Sequence, residues 1–195
     1  LEFYAEIDQQ LGRMLELGAV IGITADHGMN AKCNADGSPK VIYLETLLRE
    51  TYKIDLQVIL PITDPYVLHH GALGSFAVVH GPSNAPFEKI AKWIMDLPGI
   101  TEVCDRATAA AKLELPADRL GDLVVLSGRD TVIGRTPAHH DLKAVASGLR
   151  SHGGRYEEMV PFVVSEPLNE EYIVRSAADP RNFDIFDFTC NGSIR

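Results

Sequence analysis

The sequence predicts an α/β fold in which a central, mainly parallel sheet is sandwiched by helices and carries a small inserted α+β subdomain. An unbroken apolar run over residues 19–24 ends abruptly at Asp26-His27-Gly28. This is the pattern of a buried parallel strand that delivers polar side chains at its carboxyl end, where open α/β sheets bind ligands. Helical and strand patterns follow one another on both sides of this run.

The first predicted element is an amphipathic helix over residues 1–17, where apolar residues recur every three to four positions. Those residues are Phe3, Ile7, Leu11, Met14 and Leu15. Gly18 is a natural end for this helix. Beyond the strand at 19–24, apolar and turn patterns predict a strand at 41–44, a helix at 45–51 and a strand at 57–61.

The character of the sequence changes between about residues 66 and 138, which we predict to be the inserted α+β subdomain. Strands are predicted there at 76–79, 100–103 and 123–126, with a helix that ends before Pro98-Gly99. Residues 1–65 and 139–195 then form the core, whose last strand, at 160–164, is followed by a polar tail.

Composition narrows the function classes. The chain has 27 acidic and 18 basic residues and a net charge of −9, which argues against nucleic acid or an anionic membrane surface as a partner. An acidic protein that acts on an anionic substrate needs a local cation, and a bound metal is the usual one. No apolar run approaches the roughly 18 residues of a membrane span. Three widely spaced cysteines and no signal-peptide pattern favour a reducing, cytoplasmic compartment.

Asp26 and His27 are the first candidate metal ligands, because a turn after the strand lets neighbouring side chains face one ion. Carboxylate oxygen and imidazole nitrogen are ordinary zinc ligands. An isolated Asp-His pair is, however, more often a turn cap beside a hydrogen-bonded histidine, since a zinc site needs three or four ligands. His152, in a Ser-His-Gly-Gly loop, is a third candidate, with a solvent-exposed histidine as the alternative.

Asn30 and Lys32 follow the Asp-His pair closely, and their side chains could bind an anionic group of a substrate. The alternative is an ordinary solvated loop. The doublets His69-His70 and His139-His140 are interpreted as surface or hydrogen-bonded histidines, because neighbours in a strand point to opposite faces. No nucleophile elbow, Walker loop or Rossmann glycine fingerprint occurs in the sequence.

Two motifs carry a resemblance to a known family. The stretch 24–29, Thr-Ala-Asp-His-Gly-Met, resembles the second metal-binding motif of the alkaline phosphatase superfamily. The stretch 151–154, Ser-His-Gly-Gly, with Met-Val-Pro-Phe at 159–162, resembles its last ligand motif. Within the superfamily, residues 25–32 and 149–154 are most similar to the phosphonoacetate hydrolase family. The resemblance implies an alkaline phosphatase-like core, here incomplete.

The family uses two zinc ions in a complete active site and a threonine nucleophile to hydrolyse the C–P bond of phosphonoacetate, through a phosphothreonine intermediate, to acetate and phosphate. Carried over by motif, the resemblance implies that Asp26 and His27 hold the zinc that activates the threonine. It implies that His152 serves the other zinc. The expected substrate is a small anionic phosphonate.

In that family the nucleophile and the remaining ligands lie upstream of the Asp-His motif, whereas only 25 residues precede Asp26 here. No catalytic nucleophile is therefore assigned in this chain, and Thr24 is not the family nucleophile. We expect a longer native polypeptide whose amino-terminal half completes the site, and we expect the chain alone to be inactive. The sequence leaves the oligomeric state open, a homodimer included.

Other functions remain open at this point. Nucleotide pyrophosphatase/phosphodiesterases and phosphoglycerate mutases of the same superfamily share the metal motifs. A non-catalytic binding module that kept the sheet and lost the chemistry is the alternative from another class.

Overall fold

The computed structural model describes residues 2–62, 72–145 and 148–194. The chain divides into two compact units. Unit 1 comprises Leu1–His27 and Met159–Arg195, and unit 2 comprises Gly28–Glu158. The predicted inserted subdomain, 66–138, lies within unit 2, and its boundaries stay a prediction. His69 and His70 lie outside the described residues.

Six α-helices and ten short strands are seen in the described residues. The helices are α1 (Glu2–Glu16), α2 (Leu44–Tyr52), α3 (Phe87–Met95), α4 (Arg106–Leu113), α5 (Glu170–Ser176) and α6 (Ile185–Asn191). The strands are β1 (Gly22–Ile23), β2 (Asn30–Ala31), β3 (Val41–Tyr43), β4 (Gln57–Ile59), β5 (Phe76–His80), β6 (Ile100–Asp105), β7 (Leu123–Ser127), β8 (Val132–Gly134), β9 (Arg150–Ser151) and β10 (Val163–Val164).

Unit 2 is built on a four-stranded antiparallel sheet in the order β4-β5-β7-β6. The two central strands are apolar at nearly every position because both faces of the sheet are covered. Ala77, Val79 and Val125 pack in the cluster that includes Ile90 and Ile94 of α3. The alternate residues of β5 and β7 pack in a second cluster on α4. The continuous apolar pattern of these strands thus reflects burial on both sides.

Most of the predicted elements in unit 2 are present with slightly different ends. Strands β3 to β7 and helices α2 and α3 correspond to predicted elements, whereas α4 was not predicted. Helix α4 begins at an N-cap, where the side chain of Asp105 accepts a hydrogen bond from the amide of Thr108 at 2.8 Å. Pairing in the described strands is mostly antiparallel, and β3 and β8 form a parallel pair.

Unit 1 has a small aromatic core. Phe188 of α6 is buried, and its ring makes edge-to-face contacts at 5.0 Å with both Phe162 and Tyr172. The predicted strand at 19–24 is reduced to β1, which pairs antiparallel with β10. The predicted polar tail contains α5 and α6, whose short apolar patterns were missed.

Helix α1 has the predicted extent, but none of its residues is buried. No helix among residues 2–62, 72–145 and 148–194 has the length and apolar character needed to cross a membrane. All three cysteines are free thiols.

A buried carboxylate joins α2 to the edge strand β4. Glu45 is fully buried and accepts hydrogen bonds from the amide of Val58 at 3.0 Å and from the guanidinium of Arg135 at 3.1 and 3.3 Å. Arg49 lies 3.0 Å away in an i, i+4 ion pair. Burial acts to raise the pKa of Glu45, but the bonds from Val58 and Arg135 outweigh burial and hold this pKa below its ordinary value.

We predict that Glu45→Gln destabilises the protein at pH 7 by at least about 1 kcal/mol, because it removes charge-assisted hydrogen bonds. A lowered folded-state pKa contributes stability above the ordinary glutamate pKa of about 4.3, and that stability is lost as the pH falls through the folded pKa. Urea unfolding between pH 7 and pH 3 measures this effect. We expect the difference in free energy of unfolding between wild type and Glu45→Gln to become smaller below about pH 4.

Glu50→Gln, on the exposed side of the same helix, is the matched control and changes stability by less than about 0.5 kcal/mol. If the difference in free energy of unfolding between wild type and Glu45→Gln stays constant down to pH 3, the lowered pKa of Glu45 is contradicted.

Candidate active site

Asp26 and His27 lie in unit 1, three and four residues beyond β1. The Asp26 side chain is 87% exposed and that of His27 is 35% exposed. One carboxylate oxygen of Asp26 accepts a hydrogen bond from the backbone amide of His27 at 3.0 Å, and the other lies 3.6 Å from the imidazole Nε2. The turn therefore brings both side chains to one side, which is the arrangement that shared ligation of one ion requires.

The chain just before this pair contains an orphaned polar atom. The hydroxyl oxygen of Thr24 is buried and has no hydrogen-bond partner in the part of the chain that the structure describes. Buried hydroxyl groups in proteins are nearly always hydrogen-bonded. The side-chain amide of Asn182 donates a hydrogen bond to the carbonyl of Ala25 at 3.2 Å, and this bond anchors the turn within unit 1.

His152 lies in unit 2, directly after β9. Strand β9 pairs with β2, so that Ser151 lies opposite Asn30. The His152 carbonyl accepts a hydrogen bond from the amide of Ser75 at 2.8 Å, and its side chain is partly buried. The loop that carries His152 is thus held on two sides.

Two glycines allow this loop to pack closely. Gly153 has φ +99°, and a Cβ placed there would lie 2.7 Å from Cγ1 of Ile62. A Cβ on Gly154 would lie 2.8 Å from Cβ of Ser75. Since these separations are below van der Waals contact, glycine is needed at both positions for the backbone to approach its neighbours.

Lys32 is completely buried, although the sequence suggested a substrate contact or a solvated loop. Its ammonium donates to the hydroxyl of Ser75 at 2.7 Å, the carbonyl of Arg129 at 2.9 Å and the carboxylate of Glu157 at 2.9 Å. An ammonium has three donors, and all three are used within unit 2. A direct contact of Lys32 with substrate would therefore require one of these bonds to break.

Asn30 is only partly exposed. Its amide donates to the carboxylate of Glu157 at 2.7 Å and to the carbonyl of Tyr156 at 3.1 Å, and its oxygen accepts from Arg129 at 3.2 Å. Substrate binding by Asn30 stays a prediction, as it does for Lys32.

Glu157 is the residue that sequence reasoning missed. It is 2% exposed and forms the buried ion pair with Lys32. In the sequence it stands beside Glu158 in an ordinary polar stretch, and no spacing or motif distinguishes the buried glutamate from the exposed one. Only the tertiary structure identifies it.

The three predicted metal ligands are divided between the units, with two in unit 1 and one in unit 2. Neither unit by itself supplies the three or four ligands of a zinc site. Across residues 2–62, 72–145 and 148–194, no group of three or more His, Cys, Asp or Glu side chains is arranged to hold a metal ion. The donor types at Asp26, His27 and His152 nevertheless suit zinc, and the exposed Asp26 carboxylate is accessible to an ion.

No family profile matches the chain. Among solved structures, phosphonoacetate hydrolase from Sinorhizobium meliloti 1021 in complex with phosphonoacetate has 42% sequence identity and a TM-score of 0.84. The match covers 99% of this chain and 46% of that chain. The same enzyme in complex with phosphonoformate matches with a TM-score of 0.85 over the same shares.

The resemblance to phosphonoacetate hydrolase is confirmed. The chain spans slightly less than half the length of this relative. The α/β, alkaline phosphatase-like fold class is confirmed with it, although the sheets in the described residues are small and partly antiparallel. Murine ectonucleotide pyrophosphatase/phosphodiesterase 5 is also similar, at 15% identity and a TM-score of 0.45 over 84% of this chain and 40% of that chain.

We predict that Gly153→Ala lowers the free energy of unfolding by more than the cost of placing alanine at a positive φ. Its Cβ meets Ile62, so the cost of the left-handed backbone, about 1–2 kcal/mol, is increased by an overpacking cost of about 1–3 kcal/mol. Gly37→Ala is the matched control, because Gly37 has φ +84° and no atom within 4 Å of its built Cβ. Urea unfolding measures both variants, and equal losses of stability would contradict the close packing at Gly153.

Proposed function

We propose that this chain contributes Asp26, His27 and His152 to a zinc-dependent hydrolase that cleaves the C–P bond of phosphonoacetate. The observation that carries the proposal is the 42% identity over 99% of the chain to an enzyme solved with phosphonoacetate bound. The relative was also solved with phosphonoformate, a second small anionic phosphonate. The paired, accessible side chains of Asp26 and His27 supply suitable ligands.

In this proposal Asp26 and His27 hold one zinc ion and His152 contributes to the second. Zinc, when bound, supplies positive charge that favours the ionised nucleophile and offsets charge on the phosphoryl oxygens. An acidic chain needs this local positive charge, because its net charge of −9 repels an anionic substrate. The ammonium of Lys32 is already neutralised by Glu157 and does not supply it.

The proposed nucleophile is a threonine in a segment outside this chain. Its hydroxyl oxygen forms a bond to phosphorus as the C–P bond breaks, and the electron pair of that bond goes to carbon, which takes up a proton to give acetate. Water then attacks phosphorus in the phosphothreonine, and phosphate leaves with restoration of the threonine hydroxyl. The net reaction consumes phosphonoacetate and water and yields acetate and phosphate.

The proposal includes a cytoplasmic location and a dependence on the amino-terminal half of the same polypeptide. The support for the second point is chemical: three ligands in this chain are too few for two zinc sites, each of which needs three or four. The 195-residue chain alone is then inactive. A homodimer is compatible with the proposal and is not required by it.

The experiment uses the longest polypeptide encoded by the reading frame that contains this sequence. Its bound zinc is measured by elemental analysis, and phosphate release is measured with phosphonoacetate and with a phosphodiester. We predict one or two zinc ions per chain, phosphate release from phosphonoacetate, and a loss of at least about 10-fold in zinc affinity for Asp26→Asn.

Asp8→Asn, which removes an exposed carboxylate from α1, is the control and leaves zinc and activity unchanged. A preference for the phosphodiester would indicate a phosphodiesterase instead. Zinc binding that is indifferent to Asp26→Asn would favour a binding module, and phosphate release by the 195-residue chain alone would overturn the need for an upstream segment.

A further inference from the structure

The buried pair formed by Lys32 and Glu157 is hydrogen-bonded to the loop that carries His152, within unit 2. We propose that Lys32 and Glu157 are positioning residues, which hold the loop that carries His152 in the conformation in which His152 binds zinc. This inference rests on the proposed function, in which neither Lys32 nor Glu157 contacts the metal directly.

Glu157 uses its backbone and its side chain for different contacts within unit 2. Its backbone carbonyl accepts a hydrogen bond at 2.7 Å from the amide of Gly28, the residue bonded directly to His27. One carboxylate oxygen accepts at 2.9 Å from the amide of Gly154, two residues after His152. The other accepts from Lys32 at 2.9 Å and from Asn30 at 2.7 Å. The backbone and side chain of Glu157 therefore restrain Gly28 and the loop after His152 within unit 2.

Lys32 is also linked by hydrogen bonds to the segment that carries His152. Its ammonium donates to the hydroxyl of Ser75, and the amide of Ser75 in turn donates to the carbonyl of His152. The backbone amide of Lys32 donates to the carbonyl of Leu149 at 2.8 Å, next to the pairing of β2 with β9. The lysine thus fixes the segment before His152, whereas Glu157 fixes the segment after it.

The pair is built for this role rather than for contact with substrate. Lys32 and Glu157 side chains are 0% and 1% exposed, and the donors of the ammonium are all used by protein acceptors. A buried charge that loses its partner is strongly unfavourable, so the two loops cannot separate without breaking the pair. Groups that orient metal ligands in this indirect way typically change metal affinity by about 10- to 100-fold when they are replaced.

Glu157→Gln in the longest polypeptide that contains this chain tests the inference. Glutamine keeps the shape of the side chain but removes its charge and replaces one acceptor oxygen with a donor. We expect the zinc dissociation constant, measured by competition with a chromogenic chelator, to rise by about 10- to 100-fold. Ser75→Ala, which keeps both charges and removes one lysine acceptor, should weaken zinc binding to a smaller extent.

Ile94→Ala is the matched control, because it removes buried atoms from α3 in unit 2 and has no hydrogen bond to the pair. It should lower the unfolding temperature while the folded protein keeps the wild-type zinc dissociation constant. If Glu157→Gln lowers the unfolding temperature but leaves this constant unchanged, the pair is merely structural and the inference is overturned.

Should Glu157→Gln fail to fold, Ser75→Ala decides: an unchanged zinc dissociation constant there rejects the inference, and a raised one supports it. Failure of the proposed function is recognised separately, because wild type itself would then bind no zinc. In that case the positioning role is rejected together with the function.

Discussion

Burying an ionised side chain is costly unless an opposite charge and further hydrogen bonds compensate for it, and this constraint shapes the center of unit 2. Lys32 and Glu157 are 125 positions apart in the sequence, yet each is the partner that the other requires. The two charged groups are compensated by hydrogen bonds from or to neighbouring residues. Asn30, Ser75 and Gly154 bond to the side chains of the pair, and Gly28 bonds to the backbone carbonyl of Glu157. The conformation of the loop that carries His152 depends on that requirement.

The sheet of unit 2 provides the rigid surroundings for this polar center. Strands β5 and β7 are covered on both faces, so side chains at their ends have little freedom to move. Ser75, which precedes β5, and Ser127, which ends β7, both donate to the carbonyl of Thr131, at 3.1 and 2.7 Å. Buried hydroxyl groups thereby extend the hydrogen-bond network from the sheet to the lysine.

The helices and strands that are determined by short sequence patterns were predicted from those patterns. The periodic apolar residues of α1 and α3 and the apolar runs of β5 and β7 identified these elements. In the turn after β1, the side chains of Asp26 and His27 lie on one side, and their binding of a metal stays a prediction. The family resemblance was predicted from two short motifs and is confirmed by the solved relative.

Properties that depend on distant residues could not be predicted in the same way. Lys32 looked available to a substrate because it follows the Asp26-His27 pair closely, and no nearby residue in the sequence indicates that Glu157 is its partner. The antiparallel pairing of β1 with β10 also involves segments far apart in the chain. Helices α5 and α6, of seven residues each, are too short for a strong periodic signal.

The division of the chain has a consequence for how it is made. Unit 2 is one continuous stretch, whereas unit 1 combines a segment before it with a segment after it. During synthesis all of unit 2 is translated before the residues that pair with β1, and domains generally fold as units in the order of their synthesis. Unit 1 therefore folds last, and β1, the strand before the Asp26-His27 turn, acquires its antiparallel partner only after the loop bearing His152 has been translated.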